Sequence, residues 1–369
     1  MSERYEIVGP LGTGGMAEVL LARRAGPHGF ERLLAVKRIR PELAHDPDMV
    51  RMLLDEARNA ASLVHQRIVQ VFDIDMREGS LLYAMEYLHG KTLDEVLARA
   101  PALPFGTALA VAIAVADGLH YAHSRAIVHR DVAPSNVMIT YDGNVKLIDF
   151  GIAKAAGNLS STIFGTFKGR LGYSSPEQCR CEQADLRTDI YSLGVMLYEM
   201  TTGRRAFSAA TENDLLKVME VGQIAPPTTF DSRYPRELEA IVMKALAPDR
   251  ARRYPTAEAL HRDLETFARA HGLNISDGAL ARMMHELFAE ELAPWLDARK
   301  TGVTLDEHVV REVIRSTIDA GANATTLPAP TPARKQAKRR GPPTWIPIAI
   351  IAALLVVAFV ATRLLLKAG

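Results

Sequence analysis

A chain of 369 residues with 48% hydrophobic and 24% charged positions has the make-up of an ordinary globular protein, on the size prior about two domains. Its formal net charge of +1 excludes a global electrostatic attraction to nucleic acid. The two cysteines, Cys179 and Cys181, cannot build a disulfide scaffold or a four-ligand zinc site; they suit a reducing compartment and read as packing residues.

Residues 5–39 read as strands. The opening MSERYEIVGP lacks the apolar run of a secretory leader, so none is expected. Tyr5 to Val8 leads into Leu11-Gly12-Thr13-Gly14-Gly15-Met16-Ala17-Glu18-Val19, a glycine-rich turn between two strands. Glycines let backbone N–H groups come close to phosphates. Alone the string is a weak signal, because an ordinary Gly-rich hairpin looks the same. Leu34-Ala35-Val36-Lys37 then ends a strand on a lysine. A helix follows, with Asp46 as cap and Pro47 and Asp48 in its first turn. Met49, Met52, Leu53, Glu56 and Ala60 share one of its faces. Glu56, a carboxylate on a mostly apolar stripe, needs a partner, and Lys37 is the candidate. Residues 68–74 and 81–87 read as two more strands, the second reaching Met85-Glu86-Tyr87-Leu88.

The chain then turns helical. Lys91 to Ala100 is a short helix with Thr92 as cap, and residues 104–124 a longer one that starts at Pro104. The second is apolar nearly all round, which predicts burial. Next comes HRDVAPSNVMITYDGNVKLIDFG, His129 to Gly151. Asp142-Gly143-Asn144 joins two short apolar runs as a hairpin turn. The hairpin would bring Asn136 and Asp149 together at one end, a hard, oxygen-only pair suited to Mg²⁺ that also holds phosphates. Asp131 would sit just outside, free to accept a proton from an incoming hydroxyl. His123 and His129 are more readily core residues than metal ligands. After Gly151 a polar stretch, Asn158 to Gly172, carries Ser160, Ser161, Thr162 and Thr166, and leads to Ser175-Pro176-Glu177. Asp189 opens an apolar helix that runs to Met200.

The Gly-rich loop, Lys37, Glu56, the His129 hairpin, Asp149-Phe150-Gly151, Glu177, Asp189 and Arg253 follow the order of protein kinase motifs. The chain resembles the bacterial Hanks-type (eukaryotic-like) serine/threonine kinases over residues 5 to about 270. A strand after the Gly-rich loop is similar to a kinase loop and unlike a Rossmann turn. The resemblance implies an α+β bilobal fold: a β-rich N-lobe (1–88) and a helical C-lobe (89–270). It implies ATP and Mg²⁺ as cofactors, with Asp131 orienting and deprotonating a protein hydroxyl. Asn136 and Asp149 would hold the metal, and Lys37, paired with Glu56, would position phosphates. Leu11 to Val19, Ala35, Met138, the gatekeeper Met85 and the hinge residues Glu86 and Leu88 would enclose the nucleotide. It also implies that His129 packs near Phe150, that Asp189 bonds the backbone around His129 and Arg130, and that Arg253 pairs with Glu177. Arg130 would pair with a phosphate on Ser160, Ser161, Thr162 or Thr166. Protein substrates, and self-association for trans-autophosphorylation, are the implied partners. A rival reading is a pseudokinase scaffold that binds ATP and partners without efficient transfer.

Two departures stand out. These kinases usually carry Lys two residues after the catalytic Asp, where this chain has Ala133, and Thr where alignment on Tyr173 places Arg170. Ala133 is also similar to tyrosine kinases, but their compensating Arg is Ser135 here. The paired loss makes Arg170 a candidate substitute for the missing lysine; reading acidic residues in a substrate is the alternative.

Residues 271–320 lie outside the resemblance as a helical extension. Leu280, Met283, Met284, Leu287 and Phe288 form a stripe, capped by Ser276 or Asp277, that should pack on the C-lobe. Residues 321–343 are a Pro-rich, basic linker. Trp345 to Thr362 is uncharged, about 27 Å long as a helix, and reads as a single transmembrane span within 344–366. Five basic residues before it and two after place the kinase side in the cytoplasm, at the inner membrane, with no nucleic-acid role for the basic run.

Overall fold

The computed structural model describes residues 5–13, 17–26, 31–39, 47–77, 80–150 and 171–325. Strands β1 (Glu6–Thr13), β2 (Ala17–Ala25) and β3 (Glu31–Ile39) come first, then helix α1 (Pro47–Ser62), then β4 (Val71–Arg77) and β5 (Ser80–Glu86). The five strands pair antiparallel in the order β1-β2-β3-β5-β4. Because side chains alternate along a strand, each strand serves two faces. Ala22, Leu34, Val36 and Ala84 cluster on one. On the other, Val19 lies opposite Lys37 and Leu21 opposite Ala35, while β5 sets Tyr83 opposite Lys37 and Met85 opposite Ala35.

The fourth strand begins three residues later than the apolar pattern suggested. Ile68 and Val69 are apolar for another reason. Ile68 bridges to Leu147, and the Val69 amide donates to the Leu147 carbonyl at 2.9 Å. Leu147 belongs to a second sheet of three short strands, β6 (Gly90–Thr92), β7 (Val137–Thr140) and β8 (Val145–Leu147). Lys91 therefore lies in a strand, paired with Ile139. The helix expected from Lys91 is shorter, α2 (Leu93–Arg99). Thr92 caps it: its hydroxyl accepts from the Glu95 amide, and the Glu95 carboxylate accepts from the Thr92 amide at 2.8 Å.

Helix α3 (Phe105–His123) is the axis of the larger lobe, and its apolar circumference is buried as expected. The remaining helices of the lobe are α4 (Pro176–Cys179), α5 (Arg187–Thr202), α6 (Glu212–Val221), α7 (Arg236–Ala245) and α8 (Ala257–Ala270), with α3, α5, α7 and α8 sharing one core. Cys179 is half-buried against this core, whereas Cys181 is exposed, with φ of +56°, and does not pack; neither is in a disulfide.

Three further helices follow: α9 (Asp277–Leu287), α10 (Ala289–Lys300) and α11 (Leu305–Thr325). Ser276, not Asp277, is the cap of α9, accepting from the Ala279 amide. Leu280, Met284, Phe288 and Leu292 are buried in the C-lobe core. The start of α9 abuts the β7–β8 turn. Gly143 there has φ of +90°, and a Cβ on it would lie 1.9 Å from the Asp277 carbonyl oxygen, so both conformation and space require glycine. Helix α11 goes elsewhere. Its buried Val309 packs with Leu21 and Leu33 of the N-lobe sheet, so the extension touches both lobes and not the C-lobe alone.

The chain divides into two compact units, Met1–Ile318 and Asp319–Gly369, and only Asp319–Thr325 of the second falls within the described residues. Among the described residues one helix, α3, is long and apolar enough to cross a membrane, and it is the core helix just described. The expected span at 344–366 and the basic part of the linker lie outside the described residues.

Candidate active site

The hairpin β7–β8 sets the site. Val137 pairs with Leu147, and the Ile148 amide donates to the Asn136 carbonyl at 2.9 Å, so Asn136 and Asp149 lie at one end of the hairpin. Asn136 closes a short 3-10 turn, Pro134–Asn136, and is fully buried. Its amide nitrogen donates to the Asp131 carbonyl oxygen at 2.8 Å and to Asp131 Oδ2 at 2.9 Å. Its Oδ1 is buried with no hydrogen-bond partner among the described residues. A buried acceptor left open is costly unless a cation or donor meets it. Asn136 Oδ1 and the Asp149 carboxylate are both hard oxygen donors, a chemistry that fits Mg²⁺. No group of three or more His, Cys, Asp or Glu side chains suited to a metal occurs among the described residues. With only two protein ligands, a bound Mg²⁺ would draw its other oxygen ligands from phosphate and water.

Lys37 reaches down from β3 and pairs with Asp149 Oδ1 at 2.7 Å. Tyr83, opposite Lys37 in the sheet, donates its hydroxyl to the same oxygen at 3.3 Å. Asp149 has φ of +55°, a left-handed conformation unusual for a residue with a side chain, and these contacts help to hold it there. The Glu56 side chain lies outside the described residues, as do Gly14, Gly15 and Met16 of the Gly-rich loop and the Thr13 side chain. Of that loop's flanks, Leu11 and Gly12 are exposed, Ala17 is buried, and Glu18 forms an ion pair with Arg38 at 2.6 Å. Ala35 and Met85 lie in one buried cluster, with half-buried Val19 and Leu88 packed against it. Half-buried Met138, on β7 of the opposite lobe, faces Lys146 across the hairpin. The Glu86 amide donates to the Gln70 carbonyl at 2.9 Å, and its carboxylate accepts from Lys146 Nζ at 2.6 Å.

The loop that carries His129, Arg130 and Asp131 hangs from Asp189. One carboxylate oxygen accepts from the His129 amide at 2.8 Å, the other from the Arg130 amide at 2.7 Å. Arg130 has φ of +65°, and this two-pronged hold offsets the strain. His123 Nε2 adds a third contact to Asp189, at 2.8 Å. His129 is fully buried, and burial pushes its pKa down. Its Nδ1 accepts from the Asp131 amide at 3.3 Å while Nε2 donates to the Ile148 carbonyl at 3.2 Å. That is the neutral tautomer, so the ring is a spacer and not an acid; it lies 4.5 Å from the Phe150 ring. Farther out, Arg253 makes two bonds to Glu177, at 2.6 and 2.8 Å, and both side chains are buried. Burial alone would raise the Glu177 carboxyl; the hydrogen bonds and charge of Arg253 outweigh it and hold the group below its ordinary value.

Most of the residues singled out from sequence thus converge on one cleft and its supports. Tyr83 and Lys146 were not singled out, although Tyr83 could have been found: it sits two residues before Met85 on the face that carries Lys37. Ser160, Ser161, Thr162, Thr166 and Arg170 lie outside the described residues.

Residues 5–264 match the family described as the protein kinase domain. The chain is 42% identical over 299 residues to the tyrosine-protein kinase MasK of Myxococcus xanthus, covering 78% of this chain and 46% of that one. It is 34% identical over 373 residues to the serine/threonine-protein kinase PknB of Mycolicibacterium smegmatis, covering 99% of this chain and 55% of that one. It therefore spans about half the length of these relatives. The crystal structure of the Mycobacterium tuberculosis PknI kinase domain, 29% identical, superposes with a TM-score of 0.56 over 72% of this chain and 96% of that one. With the bilobal architecture and the assembled cleft, these matches establish that the chain belongs to the protein kinase family.

Proposed function

We propose that this protein transfers the γ-phosphoryl group of ATP to serine and threonine hydroxyls of proteins. The observation that carries the reading is the joint placement of Lys37, Asp149 and Asn136, with an open buried oxygen on Asn136, beside Asp131. Asn136 and Asp149 would hold Mg²⁺, which when bound neutralises phosphate charge. Lys37 would orient the phosphates. Asp131, its Oδ2 held by Asn136, would accept the proton of the attacking hydroxyl. Positioning and charge stabilisation by these fixed groups supply the catalysis. Incubating the protein with labelled ATP and a generic protein acceptor, beside Asp131→Ala, tests this. Transfer by wild type and none by the variant supports it; equal background from both supports the pseudokinase scaffold.

Ala133 and the relative named as a tyrosine kinase favour a second reading, in which tyrosine is an acceptor. Phosphoamino-acid analysis of the same product separates the two: phosphotyrosine alone would displace the Ser/Thr assignment.

Finer features belong to the same proposal. Arg130 Nε is buried and without a hydrogen-bond partner among the described residues, which supports an anionic partner such as a phosphorylated Ser160, Ser161, Thr162 or Thr166 acquired by trans-autophosphorylation. Replacing all four by alanine should lower activity; unchanged activity would point to activation without phosphate. The uncharged run Trp345 to Thr362 after a basic linker supports a single-pass anchor in the inner membrane with the kinase in the cytoplasm. Release of the full chain from membranes by a carbonate wash would reject the anchor.

A further inference from the structure

The extension crosses from one lobe to the other, and the place where it lands matters. Its first helix is fixed to the C-lobe. Leu280 and Met284 enter that core, Arg99 donates to the Leu287 carbonyl at 2.7 Å, and Lys91 pairs with Glu291 at 2.6 Å. Arg99 also pairs with Glu291 and lies over the Phe288 ring, 4.0 Å from its centroid. Trp295 of α10 then packs edge-on against His89, just past the hinge, and stacks 5.5 Å from His308 of α11. Helix α11 finally buries Val309 between Leu21 and Leu33, with Val313, Val8 and Tyr87 around it. The chain packs so closely here that a Cβ on Gly9 would lie 2.7 Å from Val313 Cγ1.

Leu21 and Leu33 are not on the outer face of the sheet. By strand alternation they share the face of Val19 and Ala35, Leu21 two residues after Val19 and Leu33 two before Ala35, and Leu21 is the register partner of Ala35. Tyr87 follows Glu86 in the hinge. So α11 docks on a direct continuation of the cleft roof while α9 is bound to the opposite lobe. A segment fixed at both ends across a hinge limits the hinge angle.

We propose that α9–α11 form a brace that sets the separation of the two lobes, with Val309 and Val313 as positioning residues for the nucleotide cleft. The proposal rests on the reading of that cleft as an ATP site. With the brace docked, the roof at Val19 and Ala35 is held over the floor at Met138 before nucleotide arrives, so less ordering is left to be done on binding. Releasing α11 lets the lobes open and raises the cost of closure, which acts on nucleotide affinity more than on the chemical step.

The test uses the full chain carrying Val309→Asp, with Val309→Ala/Val313→Ala as a gentler pair should the charged variant misfold. Hydrogen exchange without nucleotide should show faster exchange in 305–318, in β1–β3 and at Tyr87, with α9 unchanged. Calorimetry with a non-hydrolysable ATP analogue and Mg²⁺ should show affinity lowered roughly three- to tenfold, and kinetics a matching rise in the KM for ATP at nearly constant kcat. Release of α11 with unchanged exchange in β1–β3 and unchanged affinity would overturn the brace. So would unchanged exchange in 305–318, since the Val309 contact would then not be what holds the helix. If wild type binds no analogue, the kinase reading fails, and the exchange of β1–β3 still decides whether α11 and the roof are coupled.

Discussion

Asn136 gives its amide nitrogen to Asp131, while its amide oxygen is buried without a hydrogen-bond partner among the described residues. On the proposed reading, one side chain therefore orients the base and would present a ligand to Mg²⁺. Asn136→Ala should remove both effects. Phosphotransfer should fall about a hundredfold or more, the scale of losing one fixed polar group at the reacting centre. The Mg²⁺ concentration needed for half-maximal rate should rise in the residual activity. A variant with unaltered Mg²⁺ dependence would take Asn136 out of the metal site.

Lys37→Met should abolish phosphotransfer with little change in thermal stability. The Lys37–Asp149 pair is partly solvated, at 16% and 24% side-chain exposure, so its loss costs the fold little. Full activity in the folded variant would remove Lys37 from the site.

Arg253→Ala leaves Glu177 charged and buried without its partner. Breaking such a pair typically destabilises by about 3–5 kcal/mol. The Glu177 carboxyl binds its proton less tightly folded than unfolded. The unfolded state therefore takes up the proton first as acid is added. The pair's stabilisation is complete above the ordinary carboxylate value of 4.5 and is lost as pH falls through the lower folded value. Denaturant midpoints measured across this acid range should show that decline in wild type. The Glu177→Gln/Arg253→Met double variant should lose this contribution to it.

By the motif resemblance, Arg170 takes the place of a threonine and Ala133 that of a lysine. If Arg170 replaces the missing charge, Arg170→Thr should slow transfer about a hundredfold, and adding Ala133→Lys should restore much of the rate in a double-mutant cycle. Ala133 is only 1% exposed and packs in the C-lobe core, so a lysine there must extend out into the cleft. A double variant as slow as Arg170→Thr, or a loss confined to acidic substrates, would assign Arg170 to substrate reading.

The parts of this site that were legible in sequence are those fixed by local chemistry. Thr92 and Glu95 cap a helix within one turn, and Asp142 to Asn144 can only be a turn, so α2 and the β7–β8 hairpin followed from neighbours in the chain. The Glu177–Arg253 pair was reachable because motif order supplied the long-range partner. Tyr83 against Asp149, and Lys146 against Glu86, had no such guide: each joins residues 60 or more apart whose side chains read as ordinary. Val309 and Val313 show the same limit. Their spacing marks a buried helical face, but no spacing says which lobe buries it, and the sheet continuation at Leu21 and Leu33 is visible only in three dimensions.

The packing of α9 also redraws the unit that must fold together. The family match ends at residue 264, yet Leu280, Met284, Phe288 and Leu292 belong to the same apolar core as α3 and α8. A chain cut at the homology boundary would present the surfaces those four side chains cover to water. It would lose the transfer free energy of each, about 1.5–3 kcal/mol per fully buried side chain, against a net stability of only about 5–15 kcal/mol for a whole domain. The cooperative folding unit therefore extends past the conserved domain. A catalytic fragment trimmed to that domain would melt early and aggregate through the uncovered face.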